Sequence, residues 1–417
     1  MIDRASAGRQ DPPFRLSMLI YDKRYRSLTF QVIVFILVMS LVWWLINNTI
    51  TNLANLGKDI DFGFLFSRAG YDIPQQVIPY NSDDTHFRAA LIGLLNTLLV
   101  SFLGCIAATI VGVTVGVLRL SNNWLFARLM TIYVEIFRNI PLLLWILIIF
   151  AVFTEITPAP RAYRGEEGID LFLGMVAPTN RYTAIPAIIA ARSPGALELG
   201  RIAIPWLAII FIGLLVAAVM LRRAINARAS RIQERTGQRP VTWPVNLALF
   251  VVPPIALWII FGLYLEIPQL AGFNFSGGIS VDNSFVALWL ALTLYTGAFI
   301  AEIVRAGILS VSKGQSEAAF ALGLRPNRTM NLVILPQALR VIVPPLISQY
   351  LNLTKNSSLA IAVGYMDLRG TLGGTTANQT GRELESILLM MLVYLAISLL
   401  ISGAMNIYNS RVRLKER

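Results

Sequence analysis

The chain has 417 residues, 56% of them apolar and only 14% charged, with a formal net charge of +12. A soluble domain carries roughly 25% charged residues, so the deficit and the long apolar runs read as an integral membrane protein, and the basic balance points first to loop asymmetry rather than to nucleic acid. Cys105 and His86 are the only cysteine and histidine, which excludes an internal disulfide and any cluster of Cys or His metal ligands.

Crossing the hydrocarbon core takes about 20 apolar residues. Eight segments qualify or nearly do: 29–46, 91–118, 140–156, 202–221, 247–265, 284–309, 338–364 and 387–408. The expected fold is an all-α integral membrane protein with eight transmembrane helices. The mostly polar residues before 29 and the absence of an A-x-A site after 46 predict a retained anchor instead of a cleaved signal peptide. Between the runs, 47–90 and 157–201 are long polar segments rich in Pro, Gly and Asn. Segment 122–138 is amphipathic and suits an elbow helix lying in the interface. Segment 222–246 is basic and suits anionic lipid headgroups. No internal repeat is evident.

Orientation follows from the loop charges. With the N-terminus inside, the inner segments hold 24 Lys/Arg and the outer loops 10, while 8 acidic residues fall inside and 15 outside. Both termini are therefore expected in the cytoplasm.

Four intramembrane features stand out. Gly112 and Gly116 form a G-x-x-x-G that allows close helix packing. Glu302 and Arg305, spaced i,i+3 near one helix end, form an ion pair or a gate. Lys355 lies well inside an apolar run beside Asn352, Thr354, Asn356, Ser357 and Ser358. A cation in hydrocarbon costs at least ~2.5 kcal/mol. Lys355 is thus expected either to meet helix carbonyls or a neighbouring subunit, or to face a polar pathway. Pro344-Pro345 and this polar cluster predict a locally irregular helix lining a cavity.

The fourth feature is 312–336, a polar, basic segment between two apolar runs. Ser312 and Gln315 fit a capping box, so a helix is expected from Lys313. Gly323 sits where a glycine stops a helix. Pro326 can open a second short helix and Pro336 the next span. Ala318 and Ala319 leave a shallow face that a partner can approach, flanked by the charges of Glu317, Arg325 and Arg328. Ser310-x-x-Lys313 also matches a serine-hydrolase pattern, but its interfacial context and the capping reading account for it better.

Glu317, Ala318, Ala319, Gly323, Val333, Leu335 and Pro336 resemble the cytoplasmic EAA motif of bacterial ABC importer permeases, with Val333 in place of the usual Ile. GLLNTL at 93–98, YVEIFRNIPLLL at 133–144, and the stretches 295–324 and 335–360 resemble the polar-amino-acid branch of that family (histidine, glutamine and general L-amino-acid importers). The likeness covers a five-helix core of 91–118, 140–156, 284–309, 338–364 and 387–408. The rest resembles an enlarged form, like the first permease subunit of proteobacterial general L-amino-acid importers. It divides the chain into 1–90 (tail, extra helix and loop), 91–156 (first part of the core), 157–283 (an insertion with two extra helices) and 284–417 (second part of the core).

The resemblance implies a permease in the bacterial inner membrane that imports L-amino acids. It implies a pathway shared with a second permease subunit, two cytoplasmic ATPase subunits gripped by Glu317, Ala318, Ala319, Gly323 and Arg325, and delivery by a periplasmic binding protein. The chain has no G-x-x-x-x-G-K-[ST] loop, so ATP and Mg belong on the partners and no cofactor, metal or catalytic residue is expected here. Lys355, Asn356, Ser357 and Ser358 are the candidate pathway residues. A self-sufficient secondary transporter, which favours buried acids and internal repeats, and a membrane-embedded enzyme are the alternatives.

Overall fold

The computed structural model describes residues 18–55, 57, 59–164 and 168–412. The terminal stretches 1–17 and 413–417, on which part of the charge count rests, lie outside the described residues. The chain divides into two units, 1–63 and 64–417.

The first unit holds a short helix α1 (Met18–Tyr21) and α2 (Lys23–Asn55), which exceeds the expected run 29–46 at both ends. The second unit carries α3 (His86–Leu118), α4 (Trp124–Asn139), α5 (Leu142–Ala151), α6 (Trp206–Thr236), α7 (Trp243–Phe261), α8 (Asn283–Leu309), α9 (Lys313–Ala321), α10 (Pro326–Thr329) and α11 (Leu335–Asn356). Two short helices, α12 (Leu368–Gly370) and α13 (Ala377–Thr380), precede α14 (Glu383–Val412). Among the described residues, seven helices are long and apolar enough to cross a membrane, or eight if one bent pair counts as a span.

That bent pair is the expected elbow. Ile140 is extended because Pro141 follows it, so α4 stops at Asn139 and the next helix leaves at 104°. Phe137 and Trp145 stack across the corner, 4.2 Å between centroids. A π-helical turn over Val152–Ile156 extends α5.

Around α8 the packing is close because glycines face it. A Cβ on Gly112 would lie 2.5 Å from Ile300 Cβ, and one on Gly116 2.7 Å from the Ala301 carbonyl. α3 therefore lies against α8 at a distance only glycine permits, as its G-x-x-x-G predicts. The main core forms here, from Val100, Ala108, Ile146, Leu288, Leu292, Ile300 and Leu353.

Two apolar runs end differently from expectation and a third as expected. Run 202–221 begins as a strand, then continues as α6 through the basic residues to Thr236, so 222–236 of the basic segment is helical. Asn246 bonds to Asn226 at 3.2 Å and Arg222 lies over the Phe250 ring, tying α6 to α7. Run 247–265 stops as helix at left-handed Gly262 (φ 57°) and proceeds as a strand. Run 338–364 is α-helical only to Asn356 and 3-10 over Ser357–Val363, which agrees with the irregularity expected there.

Among the described residues, nine short strands lie outside the helices. These are β1 (Ala177–Pro178), β2 (Tyr182–Ile185), β3 (Ala187–Ala190), β4 (Ala196–Leu199), β5 (Ile202–Pro205), β6 (Leu263–Glu266), β7 (Gln269–Ala271), β8 (Asn274–Ser276) and β9 (Ile279–Asp282). They form an antiparallel β1-β2-β9 sheet and three pairs, β3-β6, β4-β5 and β7-β8. Gly200 (φ 64°) makes the two-residue β4–β5 turn, where positive φ matches the strand twist. The polar segments had been read as loops. Their strands alternate too briefly, four residues at most, to stand out in sequence.

Candidate functional site

Segment 312–336 is shaped by its turn residues. α9 begins behind Ser312, whose backbone is extended (φ −61°, ψ 142°). The expected capping box is not formed: Ser312 makes no side-chain cap bond, and Gln315 Oε1 instead accepts from Gln337 Nε2 at 3.3 Å. α9 ends in a Schellman turn. Gly323 (φ 76°) donates to the Phe320 carbonyl at 2.9 Å and Leu324 N to the Ala319 carbonyl at 3.1 Å. Pro326 opens α10, a π turn follows over Met330–Ile334, and Leu335-Pro336 begin α11.

The two alanines part company. Ala319 is buried and packs inward, as does Thr329 of α10. Glu317, Ala318 and Arg325 stay exposed. Phe320 is 50% and Leu322 81% exposed beside them. Ala318 and Leu322, at i and i+4, share one face. A charged helix thus shows large apolar side chains next to a small one, the mark of a surface that something else covers.

In the Lys355 cluster the four side chains diverge. Lys355 is exposed and Asn356 half-buried. Ser357 is fully buried and its hydroxyl donates to the Thr354 carbonyl at 2.8 Å. The Ser358 hydroxyl donates to the Lys355 carbonyl at 2.7 Å. Both serines are therefore occupied in turning the helix into its 3-10 end, while the Lys355 amine makes no ion pair among the described residues.

Glu302 does more than pair with Arg305. Arg305 Nη2 donates to its Oε1 at 2.7 Å, Arg119 at the end of α3 donates to Oε2, and Arg138 of α4 stands 3.9 Å from the same oxygen. Arg138 also lies over the Phe299 ring, 5.3 Å from its centroid. One carboxylate thus ties three helices at the end nearest α9. Sequence reading passed over Arg119 and Arg138. The available signal was that both flank apolar runs on the side that the charge count assigns to Glu302.

At the opposite end, a buried network holds the chain between α11 and α14. Asn96 Nδ2 donates to the Gln75 and Met366 carbonyls at 2.8 and 2.9 Å. Thr97 accepts from Leu368 N at 3.0 Å. Asp367 is fully buried; it accepts from Gly370 N at 2.8 Å and from Tyr394 Oη at 3.2 Å. Burial pushes its carboxyl up to about 7, against smaller lowering by those bonds. The GLLNTL stretch therefore earns its polar pair by stapling 366–368 to α3. Nothing in the sequence around Asp367 marked it.

Residues 239–414 match the family model of the binding-protein-dependent transport system inner membrane component. The chain is 57% identical to the glutamate/glutamine/aspartate/asparagine transport system permease protein BztB of Rhodobacter capsulatus, covering 98% of this chain and 99% of that one. It is 44% identical to the general L-amino acid transport system permease protein AapQ of Rhizobium johnstonii, over 97% of this chain and 96% of the other. The glutamate/aspartate import permease protein GltJ of Escherichia coli is 36% identical over 37% of this chain and 64% of its own. These matches set aside the secondary transporter and the membrane enzyme. On full-length identity to such relatives, the chain belongs to the permease proteins of amino-acid ABC transport systems of the inner membrane.

Proposed function

We propose that the chain is the pathway-forming subunit of an ATP-driven importer for L-amino acids, with acidic and amide side chains prominent among its substrates. It pairs with a second, related permease. Two ATPase subunits, which hold ATP and Mg, grip α9 and α10, and a periplasmic binding protein delivers the substrate. Both termini and 312–336 lie in the cytoplasm, and the strands of 177–282 in the periplasm. The transport systems to which the full-length relatives belong support the substrate range, and the Lys/Arg asymmetry supports the orientation.

The observation that carries the coupling reading is the exposed face of α9. Glu317, Ala318, Phe320 and Leu322 stand in water on a chain whose other large apolar surfaces suit lipid. ATP-driven closure of the ATPases would reach the bundle through this handle as a switch between two packed states. Gly323 and Arg325 fix the turn between the two short helices. Lys355, with Asn356, lines the pathway where a substrate carboxylate passes.

In proteoliposomes containing the assembled complex, Glu317→Lys reduces ATP-driven uptake of L-glutamine at least about tenfold, with unchanged amounts of the chain in the membrane. Normal uptake by that variant would remove the coupling role. Lys355→Ala raises KM for uptake and leaves basal ATPase activity alone. An unaltered KM returns Lys355 to a structural role.

A further inference from the structure

A cavity of about 310 Å³ opens at the end of the bundle away from α9. Its walls come from the β1–β2 turn, the start of α8, the end of α5 and the chain after the 3-10 turn. Asn180, Arg181, Asp282, Gln75, Thr154 and Tyr365 are among its lining residues.

The two charged side chains in this wall are unpaired, and the backbone that carries them is tied down. Asp282 occupies the N-cap of α8 with an extended backbone (φ −60°, ψ 139°), yet makes no cap bond. An aspartate there ordinarily accepts from the N–H groups of the first turn. Among the described residues neither the Asp282 carboxylate nor the Arg181 guanidinium has a hydrogen bond or ion pair. Asn180, another lining residue, has its Oδ1 buried without a partner. A buried acceptor left unmade costs about 1–3 kcal/mol, and such orphans call for a ligand or water.

The mount is Asn283. Its Nδ2 donates to the Thr179 carbonyl at 2.7 Å and its Oδ1 accepts from Thr183 Oγ1 at 3.1 Å. Asp282 and Tyr182 are register partners in the β2–β9 pair, which brings the backbone of the β1–β2 turn beside Asp282. Thr179 Oγ1 also accepts from Arg181 N and Tyr182 N, closing the turn. The backbone that carries Asp282 and Arg181 is therefore fixed at the rim of one cavity.

We propose that this cavity binds the backbone of a free α-amino acid. The α-ammonium sits against Asp282, and the α-carboxylate meets Arg181. The side chain points into the remaining volume, so the site reads the common zwitterion and tolerates several side chains. Burial raises the Asp282 carboxyl above its ordinary value, and a bound ammonium would relieve that cost. The site rests on the amino-acid reading above and adds a waiting position at the outer mouth of the chain.

The test uses the full chain in its assembled complex, in nanodiscs, with radiolabelled L-glutamine. The expected result is saturable binding to the wild type that is at least tenfold weaker for Asp282→Asn and for Arg181→Gln. N-acetyl-L-glutamine, lacking the ammonium, and L-glutaminamide, lacking the carboxylate, compete poorly for the wild type. Asp282→Asn loses its discrimination against the first and Arg181→Gln against the second, a crossover that a merely structural role would not produce. Absent saturable binding, or wild-type affinity and discrimination in both variants, overturns the site. Uptake by the complex separates the two readings. If the complex imports L-glutamine while both variants bind and discriminate like the wild type, only the cavity proposal fails. If it imports no amino acid, the function fails first.

Discussion

The two ends of the second unit are built on opposite plans. Around Asp367, hydrogen bonds join α3, the 365–371 turn and α14, although Asn96 Oδ1 and Ser386 Oγ are left without partners. Around α9, short helices leave Leu322 and Phe320 exposed and a capping bond unmade. The first plan specifies one geometry, because any shift strands a donor in a low dielectric. The second tolerates displacement and leaves surface for a partner. A chain that must pass motion from one end to the other has reason to keep one end stiff and the other open.

The sharpest way to break the contrast is to remove the carboxylate at the stiff end. Asp367→Ala strands the Gly370 N–H and the Tyr394 hydroxyl, at a cost of about 3 kcal/mol. A fluorescence-detected melting curve of the purified chain should fall by several degrees. An unchanged melting temperature would show that the network is not what holds that end.

A smaller effect follows from titration of the same group. Its folded value of about 7 lies above the ordinary carboxylate value of about 4. The folded chain keeps this proton where the unfolded chain has released it. Its contribution is therefore full below about pH 4 and is lost as pH climbs through about 7. Between those limits the wild type should lose melting temperature with a slope that Asp367→Asn flattens. Equal slopes in both chains would count against a protonated Asp367.

The smallest expected change sharpens the other side. Leu322→Ser should move stability by no more than about 0.5 kcal/mol, since Leu322 is 81% exposed. The same substitution should weaken retention of the ATPase subunits on a tagged complex. Lost stability without lost retention would mean that the face is covered by the chain itself.

Much of this was legible beforehand. Long apolar runs announced the spans, Gly112 and Gly116 announced the α3–α8 contact, and Gly323 with Pro326 announced the helix break. These signals are local or one-dimensional, and a sequence displays them directly. The strands were hidden because runs of four residues or fewer give no usable period. Arg119 and Arg138 were hidden because their meaning lies in partners far along the chain, 183 residues away for Arg119 and Glu302, and Asp367 because spacing does not show that a short turn is buried. The capping box failed for a related reason: Gln337 reached Gln315, a long-range competitor that spacing cannot reveal.

The Glu302 cluster has a mechanical reading. With Arg119, Arg138 and Arg305 gathered on one side chain, the ends of α3, α4 and α8 are riveted together a few residues before α9 begins. A torque delivered at Ser310 would then be shared among three helices instead of bending one, and the elbow after Asn139 becomes the pivot about which the α5 leg swings.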